Sequence, residues 1–250
     1  MQTSKLYHPV LNVTIGGDVA EKRLLSFCLT TDECYPNNIA LLEYPSGALN
    51  SKEGDSVIIQ LSVNGETHLI FTGEIDSKTE YRGIEWLTLQ DGCSKLYGTA
   101  INTAYRKENA KVILQDILEK SGITKKAVTC PDVELARFST GGTRASRCIT
   151  LLIKALEEHG HTGLRFFFDE TDTFHFGTLN DTGKNNGSVF EFEMAKNILN
   201  KGDGWIEVLP LPIRHSQSAV IDRSNFIIQR TELRISGSTS RLRLYYEGRV

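Results

Sequence analysis

The sequence predicts an α+β protein, mostly β, laid out as strands, then a mixed α+β segment, then strands again. Three observations predict it. Val57, Ile59, Leu61 and Val63 recur at period two and run straight into Asn64-Gly65, the pattern of a strand entering a tight hairpin. Residues 109–120 and 144–159 carry apolar side chains at helical spacing, and Gly122 and Gly160 follow them where helices end. After residue 188 the extended runs resume.

Residues 6–15, 23–29 and 39–44 are extended runs, the last two separated by the turn-rich residues 32–38. The Val57 strand returns over residues 67–75, with Leu69, Phe71, Gly73 and Ile75 expected on one face and Ile70 on the other. Tyr81-Arg82-Gly83 turns the chain into a strand over residues 86–89. Short strands joined by turn signals point to an antiparallel barrel or sandwich. In the middle, Val112, Ile113, Asp116, Ile117 and Leu118 mark the first helix. Ile149, Leu152, Ile153 and Leu156 mark the second, and Thr143 is placed to cap its start. A short strand over residues 133–138 falls between them, and residues 164–168 and 174–179 read as a hairpin. Residues 180–188, polar and glycine-bearing, are the best linker candidate. Strands follow over residues 189–194 and 205–209, with Pro210 and Pro212 marking an edge or corner. Residues 226–235 and 241–246 form a long hairpin around Ser236-Gly237-Ser238. The expected domains are 1–100, 101–180 and 181–250.

The 250 residues, 40% hydrophobic and 24% charged, suit one large domain or two smaller ones. A net charge of −3 argues against a protein whose main task is gripping phosphates. The charge is uneven. Residues 1–100 hold 7 Lys/Arg against 13 Asp/Glu, a net of −6, whereas residues 181–250 hold 10 against 8, a net of +2. An acidic front and a basic rear are suited to meet across a subunit contact. Cys28, Cys34, Cys93, Cys130 and Cys148 are odd in number and form no Cys-x-x-Cys pair, which argues for free thiols rather than a disulfide framework or a zinc knuckle. The first residues lack a continuous apolar core, so no secretory signal is expected, and no apolar run approaches the ~20 residues of a membrane span.

Candidate chemistry is thin. His159-Gly160-His161 has a spacing of two, not the i, i+4 spacing of a helical zinc site, so His159 is expected to complement the helix dipole instead. Gly-x-Ser-x-Gly, the Walker pattern and the dinucleotide fingerprint are all missing. Carboxylate pairs such as Glu74 and Asp76 are what any polar strand face produces. No catalytic residue, metal ligand or cofactor is expected. The arginine-rich last strands (Arg223, Arg230, Arg234, Arg241, Arg243 and Arg249), interleaved with Phe226, Tyr245 and Tyr246, leave a nucleic-acid platform as an alternative. A cell-wall hydrolase is a second alternative.

The run GDSVIIQLSVNGETHLIFTGEIDSKTEYRGIEWLTLQDGCSKL, from Gly54 to Leu96, resembles the first barrel of phage tail hub proteins. That family includes the late control protein D of contractile-tailed phages, its Mu-like relatives and the N-terminal part of type VI secretion spike proteins. The matching residues are Gly54, Asp55, Phe71, Gly73, Ile75, Asp91 and Leu96. Downstream, Tyr105, the first helix, Phe138, the second helix and the hairpin follow the family's order, and residues 188–250 match its closing barrel more weakly. The resemblance implies two small antiparallel β-barrels flanking an α+β insertion. It implies a homotrimer whose six barrels form a ring between tail tube and spike, with DNA only as cargo in the channel and no membrane insertion. It places the protein in a phage tail, prophage or injection particle, assembled in the bacterial cytoplasm. Arg230, Arg234, Arg241 and Arg243 are the candidate subunit interface.

Overall fold

The computed structural model describes residues 9–33, 38–182, 190–194, 196–237 and 239–247. Residues 6–8 of the first expected strand, Cys34, most of the linker candidate, Ser238 and Arg249 lie outside them. The chain divides into two compact units, Met1–Asp91 with Ser188–Val250, and Gly92–Gly187. The three stretches expected from sequence thus meet two units, because the first and last share one sheet.

The first unit begins with β1 (Val10–Ile15), β2 (Asp18–Val19), β3 (Ser26–Asp32), β4 (Ile39–Pro45), β5 (Ser56–Val63), β6 (Glu66–Tyr81) and β7 (Ile84–Gln90). The second unit holds α1 (Cys93–Gly98), β8 (Ala100–Ile101), β9 (Ala104–Asn109), α2 (Ala110–Lys120), β10 (Lys126–Val128), β11 (Glu134–Ser139), β12 (Thr143–Arg144), α3 (Ala145–Glu158), β13 (Arg165–Phe168) and β14 (Phe174–Gly177). The first unit is completed by β15 (Phe190–Phe192), β16 (Ile198–Gly202), β17 (Trp205–Val208), β18 (Ser218–Ile221), β19 (Ser224–Ser236) and β20 (Ser240–Glu247).

In the first unit, strands pair in the order β16-β17-β20-β19-β3-β4-β7-β6-β5-β1-β2, with β18 on β19 and β15 on β18. This is one large, mainly antiparallel sheet, and among the described residues its path stays open rather than closing into barrels. Period-two patterning builds it. Val57, Ile59, Leu61 and Val63 all point inward, as do Leu242 and Leu244 of β20 and Ile206 and Val208 of β17. Asn64 and Gly65 have φ of 54° and 89°, the left-handed pair that a two-residue hairpin needs. The junction between early and late segments is β3 against β19, in register from Asp32↔Arg230 to Ser26↔Ser236. There the Thr31 and Thr231 hydroxyls lie 2.9 Å apart in the interior and satisfy one another.

One face assignment is corrected. Leu69 pairs with Gln60 on the outward side, and Ile70 is buried, because the register slips by one residue between Ile59 and Gln60. A bulge of this kind adds one residue to one strand and inverts the alternation beyond it.

The second unit has its own core of helix and phenylalanine side chains. On α2, Ile113, Leu114, Ile117 and Leu118 are buried, while Val112, expected inward, is 50% exposed. Asn109 caps the helix by accepting from the Lys111 N–H at 2.9 Å, and Gly122 follows with φ +70°. Thr143 does not cap α3. It lies in β12, opposite Ile101, and the Ala145 N–H is satisfied by the Thr99 carbonyl instead. The expected hairpin is β13–β14, and β10 joins it in parallel, forming a three-stranded sheet.

Candidate assembly site

The fold-signature residues shape strands and turns. Gly54 sits at φ +84°, where its N–H donates to the Ile75 carbonyl at 2.8 Å and the Ile75 N–H returns to the Asp55 carbonyl at 3.0 Å. The Asp55 carboxylate accepts from the Lys52 N–H at 2.9 Å, tightening the turn into β5. Gly73 allows the closest approach in the sheet: a Cβ there would lie 2.2 Å from the Gln90 carbonyl oxygen and 2.7 Å from the Phe71 ring. Phe71 and Ile75 fill the core beside it. Asp91 is buried, and its carboxylate takes the Asn38 side-chain amide and the Asn38 N–H. Leu96 belongs to the core of the second unit. The structure therefore gathers Gly54, Asp55, Phe71, Gly73 and Ile75 in one corner of the sheet and leaves Leu96 apart.

The four candidate interface arginines share one sheet face. Arg234 stands opposite Arg241, and two residues along the ladder Glu232 stands opposite Arg243, and Arg230 opposite Tyr245. On the next strand, Glu207 pairs with Arg243 and Trp205 with Tyr245. Alternation from strand to strand brings all of them to the same side. Arg243 donates to the Glu207 carboxylate at 2.7 Å and its guanidinium lies 4.4 Å from the Trp205 ring centroid. Hydrogen bonds to Tyr245 and then to Glu207 push its pKa further up, so it stays charged at every working pH. Arg230 stacks 5.2 Å from the Tyr245 ring and donates to Glu232. Arg234 reaches the other oxygen of Glu232 at 3.3 Å. The Glu232 side chain is only 10% exposed beneath two arginines, whereas Arg234 is 68% exposed.

Glu207 and Glu232 engage Arg230, Arg234 and Arg243, while among the described residues Arg241 donates only to the Ser240 carbonyl, so the face stays net basic. What it presents is stacked tryptophan, tyrosine and arginine, the side chains in which interface energy concentrates. Trp205 lies across Gly202, where a Cβ would fall 2.3 Å from the ring, so the glycine makes its seat. Trp205, Glu207 and Glu232 went unnoticed in the sequence. Their signal is alternation: each sits two residues from another outward position, visible only once β17, β19 and β20 are known to be neighbours.

Among the described residues, no group of three or more His, Cys, Asp or Glu is placed to hold a metal ion. His159 Nδ1 hydrogen-bonds the Ala155 carbonyl at 2.8 Å, one turn back on its own helix. His175 Nε2 and Asp169 Oδ2 lie 2.9 Å apart, both largely buried. Burial would raise the Asp169 carboxyl, but hydrogen bonds from His175, Thr171 and Thr173 outweigh it and hold the pKa well below the usual range. This cluster shapes the β13–β14 turn. Cys28, Cys93, Cys130 and Cys148 are free thiols.

No family model and no curated protein matches the chain. Solved structures do. A 43 kDa tail protein of prophage MuSo2 from Shewanella oneidensis aligns with a TM-score of 0.74 at 11% identity, over 96% of this chain and 97% of that one. The tail protein from Neisseria meningitidis MC58 aligns at 0.71 and 11% identity, over 95% and 96%. An Escherichia coli component of the type VI secretion system, described as structurally similar to the T4 bacteriophage tail proteins gp27 and gp5, aligns at 0.67 and 11%, over 95% of this chain and 77% of that one. At such identity the likeness is one of fold, and the shared fold spans both units.

Proposed function

We propose that this chain is a structural hub protein of a phage tail, prophage or contractile injection particle. In this reading three copies close a ring that joins the tail tube to the central spike. The observation that carries it is end-to-end likeness of fold: 96% of this chain aligns with 97% of a prophage tail protein. The strands on either side of β3 then act as the two barrel-like halves that each copy contributes, so that three chains offer six. That number adapts a sixfold tube to a threefold spike. A head-to-tail contact produces a ring when its rotation closes.

The arginine face supports the same reading. Three of its four guanidiniums are engaged by Glu207 and Glu232, which suits a packed protein contact better than a phosphate track. The mechanism is assembly, with no bond made or broken: Arg230, Arg234, Arg241 and Arg243 contact the neighbouring copy, and DNA passes through the channel as cargo. The test is imaging of the purified chain by electron microscopy, alone and with tail tube and spike proteins of its particle. Threefold rings with an open centre are expected. Single particles with no symmetry under both conditions overturn the reading.

A further inference from the structure

The second unit carries opposed basic charge on the two-stranded ribbon of β9 and β11. Arg106 and Arg137 stand directly opposite one another in its ladder. Like charges in that position destabilise a ribbon. Both are exposed and, among the described residues, neither meets a carboxylate, so nothing in the chain offsets the cost. Lys107, next to Arg106, is also exposed and adopts φ +51°, a left-handed conformation unfavourable for its side chain. Ala104, Tyr105, Arg106, Arg137, Phe138 and Ser139 line a shallow cleft of about 320 Å³. Tyr105 and Phe138 have ring centroids 6.1 Å apart. Alternation turns Tyr105 and Phe138 toward the core of the unit and leaves the two arginines on the outer face, where paired cations make a receptor for a carboxylate-bearing surface.

We propose that this ribbon docks on the acidic first segment of a second copy of the chain. The argument is charge complementarity. Residues 1–91 hold 6 Lys/Arg against 13 Asp/Glu, a net of −7. Within that segment Asp18, Glu43, Glu53 and Glu80 make no ion pair among the described residues. Excess carboxylate in the first unit and opposed arginines in the second are complementary between copies. A contact between two different patches is head-to-tail, the kind that closes rings. The inference rests on the ring reading and adds to it a second, electrostatic contact.

The test is a photo-crosslinking residue at position 137, with light scattering on the wild type and on the Arg106→Glu/Arg137→Glu double variant. Crosslinks from position 137 into peptides of residues 10–91 of another copy are expected, together with loss of the oligomer at moderate salt in the double variant. Hydrogen exchange of α2 and α3 should be unchanged, showing that the variant folds. Three outcomes overturn the inference. A double variant that keeps the oligomer, with crosslinks elsewhere, sinks the ribbon contact and leaves the ring standing. A wild type that stays single, alone and with tube and spike proteins, without crosslinks between copies, removes both. Crosslinks to added DNA, with DNA binding lost in the double variant, assign the ribbon to nucleic acid.

Discussion

The two units are held together in opposite ways. The second is one continuous stretch, Gly92–Gly187, whose helices and short sheets close over neighbours near in sequence. The first depends on a seam between ends of the chain, where Thr31 meets Thr231 across 200 residues of sequence. Closing so long a loop costs entropy before any contact rewards it, so the sheet is expected to form after the second unit. A local core can survive damage to the sheet, whereas the sheet cannot survive loss of either end.

Truncation after residue 223, which removes β19 and β20, breaks that comparison most severely. All protection in the first unit should vanish while α2 and α3 keep theirs, read by hydrogen exchange with mass spectrometry. Equal loss in both units would show that they fold as one. Next in size is Leu152→Ala, which empties a fully buried site in the second core and should cost about 2–5 kcal/mol, confined to that unit. Gly73→Ala acts on the other side. Its methyl group cannot fit 2.2 Å from the Gln90 carbonyl, and separating β6 from β7 should cost about 1–3 kcal/mol in the sheet alone.

The pattern that made the sheet legible in the sequence is its alternation, strongest over Val57, Ile59, Leu61 and Val63. Register was not legible. The slip beside Ile70 follows from the meeting of two strands, and nothing in either strand alone announces it. The helices were legible for their terminal glycines and spacing, yet Thr143 does not cap α3, and Val112 was misplaced because a helical stripe is wider than the face its neighbours cover. The four arginines were visible as a cluster. Their carboxylate partners Glu207 and Glu232 were not, since pairing across β17, β20 and β19 is a property of the sheet. The ribbon's opposed Arg106 and Arg137 stayed hidden for the same reason: β9 was not recognised as a strand.

Smaller effects sharpen the contrast. Asp169 is ionised and hydrogen-bonded in the fold with its pKa held down, so it adds stability above the unfolded carboxylate range, about pH 4. That contribution should fade as pH falls further, and Asp169→Asn should lose about 1–2 kcal/mol near neutrality while flattening the acid limb of the second unit. Unfolding followed from pH 7 to pH 2 checks both. Smallest is the thiol effect. Burial pushes Cys130 up to about 11, so at pH 8 it should react with maleimide far more slowly than in the denatured chain.

The central claim, a chain that closes with copies of itself, is tested most directly by its mass in solution, by light scattering across a concentration series. The account predicts a species of three times 27.9 kDa at the upper concentrations. A mass of 27.9 kDa at every concentration, unchanged by tube and spike proteins, would contradict it.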